Sequence, residues 1–259
     1  MNELLFYREY EEFYKMTSDS EAFNMFCRDA FGADFSQDGF SDIRQIDRML
    51  EFIPKKNDLH ILDIGCGNGK MLGYLQSRTG AHITGFDYSE NAISEATTRF
   101  TDNSRFIAGA MGEVDFPSES FDFISSMDSI YFAKNISTFT DQVLGWLKPD
   151  GIFFVGYQEG DVMQKTENAD TAVLSVILRS KSCTYDIIDI TAETYELLKR
   201  KRAAAIRHKA AFEKEGNQKW FDMLMLQTDC AAKPFEEFAQ EMARYIFVIR
   251  KPFQHISPQ

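Results

Sequence analysis

A glycine-rich turn that directly follows a short apolar segment constrains the fold of this chain more than any other feature. Residues 60–70 read His-Ile-Leu-Asp-Ile-Gly-Cys-Gly-Asn-Gly-Lys, in which Gly65, Gly67 and Gly69 alternate with other residues. Glycine has no Cβ, so a ligand can lie directly against the backbone and the chain can adopt positive φ. The pattern predicts a buried strand, a turn and the start of a helix, the geometry of a nucleotide-like site at the carboxyl end of a parallel strand.

The spacing of the glycines distinguishes between two kinds of nucleotide-like cofactor. A dinucleotide fingerprint requires Gly-x-Gly-x-x-Gly, and counted from Gly65 its third glycine would fall at Lys70. The run is instead Gly-x-Gly-x-Gly, preceded by Asp63. This run resembles motif I of the class I S-adenosylmethionine-dependent methyltransferases. The resemblance implies that S-adenosyl-L-methionine is the cofactor.

A second acid follows about 20 residues later, at the end of the apolar run 81–86. Asp87 is placed to accept both hydroxyl hydrogens of a ribose, and Ser89 is predicted to cap the next helix. Residues 85–89 resemble the second motif of the same family. NAD-dependent enzymes share this acid, so Asp87 alone does not discriminate between the cofactors, and a solvated strand-end aspartate is the alternative interpretation.

The third apolar run, residues 105–109, leads into a departure from the family's pattern. The family usually has an aspartate next, where it contacts the adenine amino group, but Ala110 and Met111 stand here. The resemblance therefore implies that backbone groups near these two residues, or Glu113, recognise adenine. The Met111 side chain suits an aromatic ring, although ordinary core packing explains it as well.

Two further segments complete the resemblance, which covers about residues 60–157. The fourth predicted strand ends at 126–129 without a proline, whereas family members that methylate base amino groups carry two prolines there, which argues against a nucleobase acceptor. Residues 144–151 resemble the helix end and turn before the fifth strand. The implied fold is α/β: a Rossmann-like, seven-stranded, mostly parallel sheet with an antiparallel last strand, helices on both faces and an added helical cap.

The residues that the resemblance places at the cofactor come from these strand ends and turns. They are Asp63, Gly65, Cys66, Gly67, Asn68, Gly69, Asp87, Tyr88, Ala110, Met111 and Met127. Cys66 is interpreted as the small residue that the turn requires rather than as a reactive thiol.

Residues 1–55 are predicted to form three helices, a cap that often covers cofactor and acceptor in this family. Ser18 and Ser41 are the predicted caps of the second and third helices. An aromatic stripe marks one face of the first: Phe6, Tyr10, Phe13 and Tyr14. The stripe is interpreted either as a cage for an ammonium group or, with more weight, as helix packing on the core.

The chain after the fifth strand is expected to form a lid over the substrate. Helix is predicted at 161–181, the sixth strand at 183–190, a long helix capped by Thr191 at 192–215, and further helices before an antiparallel strand at 244–250. Residues 56–160 are assigned to the cofactor-binding core, 161–243 to the lid and 244–259 to the final strand and tail. Most of the basic run at 199–202 is interpreted as a solvated face, with an anion-binding site as the alternative of lower weight.

Methyl transfer needs no acid to assist departure, because the leaving group is a neutral thioether. A base is needed only if the nucleophile arrives protonated. Asp128 and Tyr131 are the candidate catalytic residues, and Tyr157 is a further candidate. A strand-end cap, or a contact to the cofactor's cation, is an equally weighted interpretation of Asp128. His208 is interpreted as a surface residue.

Composition and charge exclude several classes of function. The formal net charge of −12 repels phosphate backbones, so a nucleic-acid partner is not expected. No apolar run reaches the ~18 residues of a membrane span, and no secretory pattern begins the chain. Four scattered cysteines show no metal spacing, so no metal is predicted, and they favour a reducing, cytoplasmic location. The oligomeric state cannot be inferred from the sequence.

Three functions are compatible with these patterns. The favoured one is a small-molecule N- or O-methyltransferase, because the predicted helical additions surround the core. A protein or peptide methyltransferase is the second and would need an open groove. The third is a protein that binds S-adenosylmethionine without turnover.

Overall fold

The core of the molecule is one mixed β-sheet, seen in a computed structural model that describes residues 5–36 and 38–251. Its strands are β1 (His60–Ile64), β2 (His82–Asp87), β3 (Ser104–Ala108), β4 (Phe121–Met127), β5 (Leu147–Glu159), β6 (Thr184–Asp189) and β7 (Ala243–Arg250). Their order is β3-β2-β1-β4-β5-β7-β6, and β7 runs in the opposite direction to the other six strands. The predicted fold class is confirmed.

Helices cover both faces of this sheet and extend beyond it. They are α1 (Tyr7–Asp19), α2 (Glu21–Phe31), α3 (Ile43–Phe52), α4 (Lys70–Thr79), α5 (Glu90–Arg99), α6 (Ile136–Trp146), α7 (Val173–Ser180), α8 (Thr191–Lys214), α9 (Gln218–Gln227) and α10 (Phe235–Glu241). Side chains alternate along β1, so Leu62 and Ile64 enter one core cluster and Ile61 the other. In the described residues no helix combines the length and apolarity needed to cross a membrane.

A third apolar cluster joins the N-terminal helices to the long helix α8. Phe13 packs edge-on against Phe23 and Trp220, and Phe26 contacts Phe212 in the same way. All five side chains are at least nine-tenths buried. Residues far apart in the chain therefore form one cap, which fixes α1 beside the carboxyl ends of the central strands.

Two predicted helix caps are wrong because a neighbouring polar residue takes the position. Helix α1 continues through Ser18, and Ser20 accepts a hydrogen bond from the Phe23 backbone N–H at 3.0 Å. Asp42, rather than Ser41, accepts from the backbone of the first turn of α3.

Thr191 is the first residue of α8, not its cap, since the preceding residue has no capping side chain. Its backbone N–H donates to Asp189, and its hydroxyl accepts from the Arg244 backbone N–H at 3.1 Å.

Two predicted boundaries also differ. Residues 161–168 are not helical, because Glu159 binds the backbone N–H and hydroxyl of Thr166 and draws this segment against the end of β5. The expected turn at 148–151 lies inside β5 as a bulge: Leu147 pairs with Phe121, but Phe123 pairs with Ile152.

Candidate functional site

A pocket opens at the carboxyl ends of β1, β2 and β4, under α1 and the loop between α2 and α3. It is lined by Tyr10, Tyr14, Phe35, Ser36, Asp38, Gly39, Ser41, Ile46, Asp63, Gly65, Cys66, Gly67, Asn68, Met71, Phe86, Asp87, Tyr88, Gly109, Met111, Met127, Asp128, Ser129 and Phe132. In a mostly parallel sheet this edge is where ligands bind. The structure therefore brings most of the predicted cofactor residues together.

The glycine turn adopts the left-handed backbone that the sequence predicts, with φ of 73°, 53° and 75° at Gly65, Gly67 and Gly69. Its packing differs from the expectation of ligand contact at every glycine. A Cβ on Gly65 would lie 2.7 Å from the Ser129 Cβ, and one on Gly69 would lie 2.8 Å from the Phe106 ring. Protein atoms therefore fill these directions.

Gly67 is the most restricted of the three glycines. A Cβ there would collide with the Tyr14 hydroxyl oxygen of α1. The turn thus needs glycine partly because the helical cap closes directly on it.

Asp87 is anchored by the backbone on either side of it. Its two carboxylate oxygens accept hydrogen bonds from the Gly67 N–H at 3.0 Å and the Ser89 N–H at 2.9 Å. Burial raises the pKa of Asp87 to about 6, against the effect of these donors. The carboxylate is held at a fixed position with acceptor capacity left for the hydroxyl groups of a sugar.

Asp63 is the most deeply buried acid of the pocket, with 2% of its surface exposed. Burial raises its pKa to about 7, and nearby Asp87 adds to the rise. The Ser125 hydroxyl donates to it at 2.6 Å, and no cation is recorded beside it among the described residues. A positively charged ligand group would satisfy this carboxyl.

Several other predicted cofactor residues form parts of the pocket wall. The Asn68 amide donates to Glu95, while Tyr88, Met111 and Met127 offer apolar surface. Burial raises the pKa of the Cys66 thiol, so the cysteine is a small neutral wall residue, as interpreted from the sequence.

Three predicted site residues do not line the pocket. Gly69 forms the N-terminus of α4, and Ala110 is buried beside the pocket without a polar side chain. Tyr131 packs against Phe132 and Tyr157 in the core. A catalytic role for Tyr131 stays a prediction, and burial, which raises the pKa of its hydroxyl, opposes its use as a base.

Asp128 lines the pocket but is already paired. Arg244, fully buried on β7, donates to its two oxygens at 2.9 and 2.8 Å, and the Phe40 N–H and Ser41 hydroxyl donate at 3.2 and 3.3 Å. Arg244 also donates to the Phe40 carbonyl at 2.7 Å. These contacts make Asp128 an anchor for the loop that covers the pocket. Its catalytic role stays a prediction.

The cap supplies pocket residues that lie outside the predicted set of site residues. The aromatic stripe divides in two: Phe13 enters the core, whereas Tyr10 and Tyr14 face the pocket. The loop contributes Phe35 and Asp38, for which no motif signals a role. Gln227 donates to Asp38 at 2.8 Å, and burial raises the pKa of this carboxyl despite the charge of Lys201.

Comparison with known proteins agrees with this geometry. Residues 62–155 match the family model described as a methyltransferase domain. A sterol 24-C-methyltransferase of Gibberella zeae is 26% identical over 212 residues, which cover 75% of this chain and 55% of that protein. A phosphoethanolamine N-methyltransferase of Plasmodium falciparum is 29% identical over 129 residues, 48% of each. The chain thus spans about half the length of these curated relatives.

Two solved structures share the fold. Phosphoethanolamine N-methyltransferase 2 of Haemonchus contortus, solved with S-adenosylhomocysteine and phosphomonomethylethanolamine, superposes with a TM-score of 0.75 at 19% identity, covering 95% of this chain and 60% of that one. The cyclopropane synthase MmaA2 of Mycobacterium tuberculosis gives a TM-score of 0.71 at 15% identity, covering 96% and 99%.

Proposed function

We propose that this chain, whose residues 62–155 match the methyltransferase domain model, transfers a methyl group from S-adenosyl-L-methionine to a small-molecule acceptor. The observation that carries the proposal is the Asp87 carboxylate, held by the glycine turn inside a pocket at the carboxyl ends of the central strands. The same turn, acid and strand order are what a class I methyltransferase requires of its cofactor site.

The polar side chains of the pocket fit two of the three parts of this cofactor, the ribose and the methionine, but not the adenine. Asp87 would accept hydrogen bonds from the ribose hydroxyls. Asp63, which has no cation beside it among the described residues, would bind the ammonium group of the zwitterionic methionine end. Gly109 and Met111 lie where adenine would be bound, through backbone groups and apolar contact. Adenine recognition then depends on shape more than on a carboxylate.

The charge of the pocket limits the chemical class of the acceptor. Four carboxyl side chains line it, and no lysine or arginine is among the described lining residues. Arg244 neutralises Asp128, which leaves Asp38 as the acid nearest the cap. A phosphate or carboxylate on the acceptor would meet no cation at this surface, so a neutral or cationic amine or alcohol is favoured.

The cofactor supplies an electrophilic methyl group bonded to a sulfonium sulfur, and the leaving group is a neutral thioether. The protein's task is to position the acceptor lone pair about 3 to 3.5 Å from that methyl and to exclude water. Tyr10, Tyr14 and Phe132 would exclude water from the cap side. Asp38 would hold the acceptor by a hydrogen bond and receive its proton when the acceptor arrives protonated.

Transfer of a radiolabelled methyl group to an acceptor panel tests the proposal. The panel contains neutral and cationic amines, alcohols, a sterol, phosphoethanolamine and an unstructured peptide. Labelling of an unphosphorylated amine or alcohol supports the proposal. Labelling of the peptide alone would assign the second function, while tight cofactor binding without transfer to any member would favour a binding protein.

The cofactor site has its own test in the variant Asp87→Ala. Loss of a two-point, charge-assisted contact to ribose should weaken S-adenosylmethionine binding at least about 100-fold in calorimetry. The exposed acid Asp102, replaced in the same way, is the matched control. Unchanged affinity in Asp87→Ala would remove the site assignment.

A further inference from the structure

Two histidines and an aspartate meet at the edge of the sheet opposite the pocket. His60 and His82 are the first residues of β1 and β2 and are direct partners in the parallel register. Their rings stack with centroids 4.9 Å apart and planes 13° from parallel. Asp58 stands just before β1 with a left-handed backbone, φ 55°, which turns its carboxylate toward both rings.

The separations of the side-chain atoms match those of metal ligands. The Asp58 Oδ1 lies 3.3 Å from the His60 Nε2 and 3.5 Å from the His82 Nε2, and one ligand atom from each residue lies within 4.8 Å of the others. Tetrahedral ligands at zinc distances are separated by about 3.3 to 3.5 Å. A small rotation of the rings would close the remaining histidine–histidine edge.

The surroundings leave these ligands accessible. The side chains of Asp58, His60 and His82 are 78%, 38% and 44% exposed, so an ion can enter and the rings can rotate. Lys56, two residues before Asp58, is engaged by Asp122 at 2.6 Å. It therefore offers Asp58 no competing ion pair.

We propose that Asp58, His60 and His82 form a binding site for a divalent transition-metal ion of the zinc class. Two imidazoles and one carboxylate are ligands that zinc, cobalt and nickel accept, and three protein ligands leave a fourth position for water. The five residues of β1 place this site about 15 Å from the pocket. A bound ion joins the start of β1 to the start of β2 and stabilises the folded chain.

Metal titration of the untagged, chelator-treated protein tests the site. Calorimetry with Zn²⁺ should show one site, and Co²⁺ should give the visible absorption bands of a tetrahedral complex. His60→Gln and His82→Gln should each weaken binding at least tenfold. His208→Gln is the matched control, because His208 pairs with Asp29 on the cap and should leave the titration unchanged.

Equal titration curves for wild type, His60→Gln and His82→Gln, or no binding by the wild type, would overturn the proposal. Thermal unfolding provides a second readout that does not depend on the stability of each variant. A hundredfold excess of Zn²⁺ over its Kd should raise the wild-type Tm by about 5 °C and leave the Tm of His82→Gln unmoved. A rise of equal size in the variant counts against the site.

Assays of methyl transfer and cofactor binding distinguish failure of the metal site from failure of the proposed function. Because the ligands lie at the opposite edge of the sheet, His60→Gln should retain wild-type transfer and cofactor affinity. Loss of cofactor binding in Asp87→Ala should in turn leave the Zn²⁺ titration intact.

Discussion

Gly67 combines two restrictions that most glycines of this chain meet singly. Its φ is 53°, and the direction of its missing Cβ is occupied by the Tyr14 hydroxyl. Gly80 shares the left-handed backbone, φ 71°, but a Cβ there would meet no atom within 4 Å. Comparing alanine substitutions at Gly67 and Gly80 therefore distinguishes the free-energy cost of the left-handed backbone from the cost of a steric collision.

We expect Gly67→Ala to lower the free energy of unfolding by about 3 kcal/mol, and Gly80→Ala by about 1 kcal/mol, measured by urea denaturation. Only the first should also weaken cofactor binding. Adding Tyr14→Phe to Gly67→Ala should recover part of the loss, because it removes the colliding oxygen. Equal losses in the two alanine variants would show that α1 does not close on the turn.

Asp63 gives the protein without cofactor a distinctive pH dependence. Its folded pKa of about 7 lies above the ordinary value of 3.8, so the folded state retains a proton that the unfolded state releases. Stability from this group is therefore full below about pH 4 and is lost as the pH rises toward 7.

The isosteric variant Asp63→Asn removes this loss. Relative to the variant, the wild type should lose up to about 1.4 kcal/mol of stability per pH unit between pH 5 and 7, as measured by urea denaturation. Saturating S-adenosylmethionine should reduce the slope, because a cationic ligand favours the ionised acid. A pH-independent difference between the two proteins contradicts this account.

At the scale of elements, β7 carries one buried and one exposed arginine. Arg244 joins β7 to the end of β4 through Asp128 and to the covering loop through Phe40. Arg250 pairs with Asp186 at the surface, where the two side chains are 44% and 64% exposed. Comparing the two arginines measures what the buried anchor contributes.

We expect Arg244→Met to lower the free energy of unfolding by about 3 to 5 kcal/mol, because it leaves the Asp128 charge buried without its partner. Arg250→Met should change it by less than about 1 kcal/mol. Guanidinium denaturation measures both. If Arg244→Met lowers the free energy of unfolding no more than Arg250→Met does, the Arg244–Asp128 ion pair does not anchor the loop.

The same anchor predicts how Asp128→Asn behaves in kinetics. Loosening the loop that carries Phe35 and Asp38 should raise KM for the acceptor and weaken the cofactor together, by about tenfold. Steady-state kinetics combined with calorimetry measures both effects. A fall in kcat with unchanged binding would instead support Asp128 as a catalytic residue.

Sequence patterns predict the elements of this chain better than the contacts between them. Apolar periodicity locates the strands and most helices because it records burial. The caps fail at Ser18 and Ser41, where adjacent serine and aspartate residues compete for one position and tertiary contacts decide. Arg244 gives no signal, since a charged residue at the start of an apolar strand normally indicates exposure.

At the scale of the whole molecule, the net charge of −12 acts on a cofactor that carries a sulfonium cation. Its association rate should fall severalfold between 50 and 500 mM salt, because salt screens the attraction of the acidic surface and pocket. S-adenosylhomocysteine, which lacks the sulfonium charge, is the matched control. Stopped-flow fluorescence should show a smaller salt effect for it, and parallel salt curves would exclude electrostatic steering.

The position of β7 inside the sheet has a consequence for biosynthesis. This strand lies between β5 and β6 and carries the arginine that holds the loop over the pocket. A nascent chain emerges from the ribosome in sequence order, so β5 and β6 remain unjoined until residues 243–250 have left the exit tunnel. Ligand-binding competence therefore depends on the synthesis of β7, and a ribosome stalled before this segment presents two bare strand edges to chaperones.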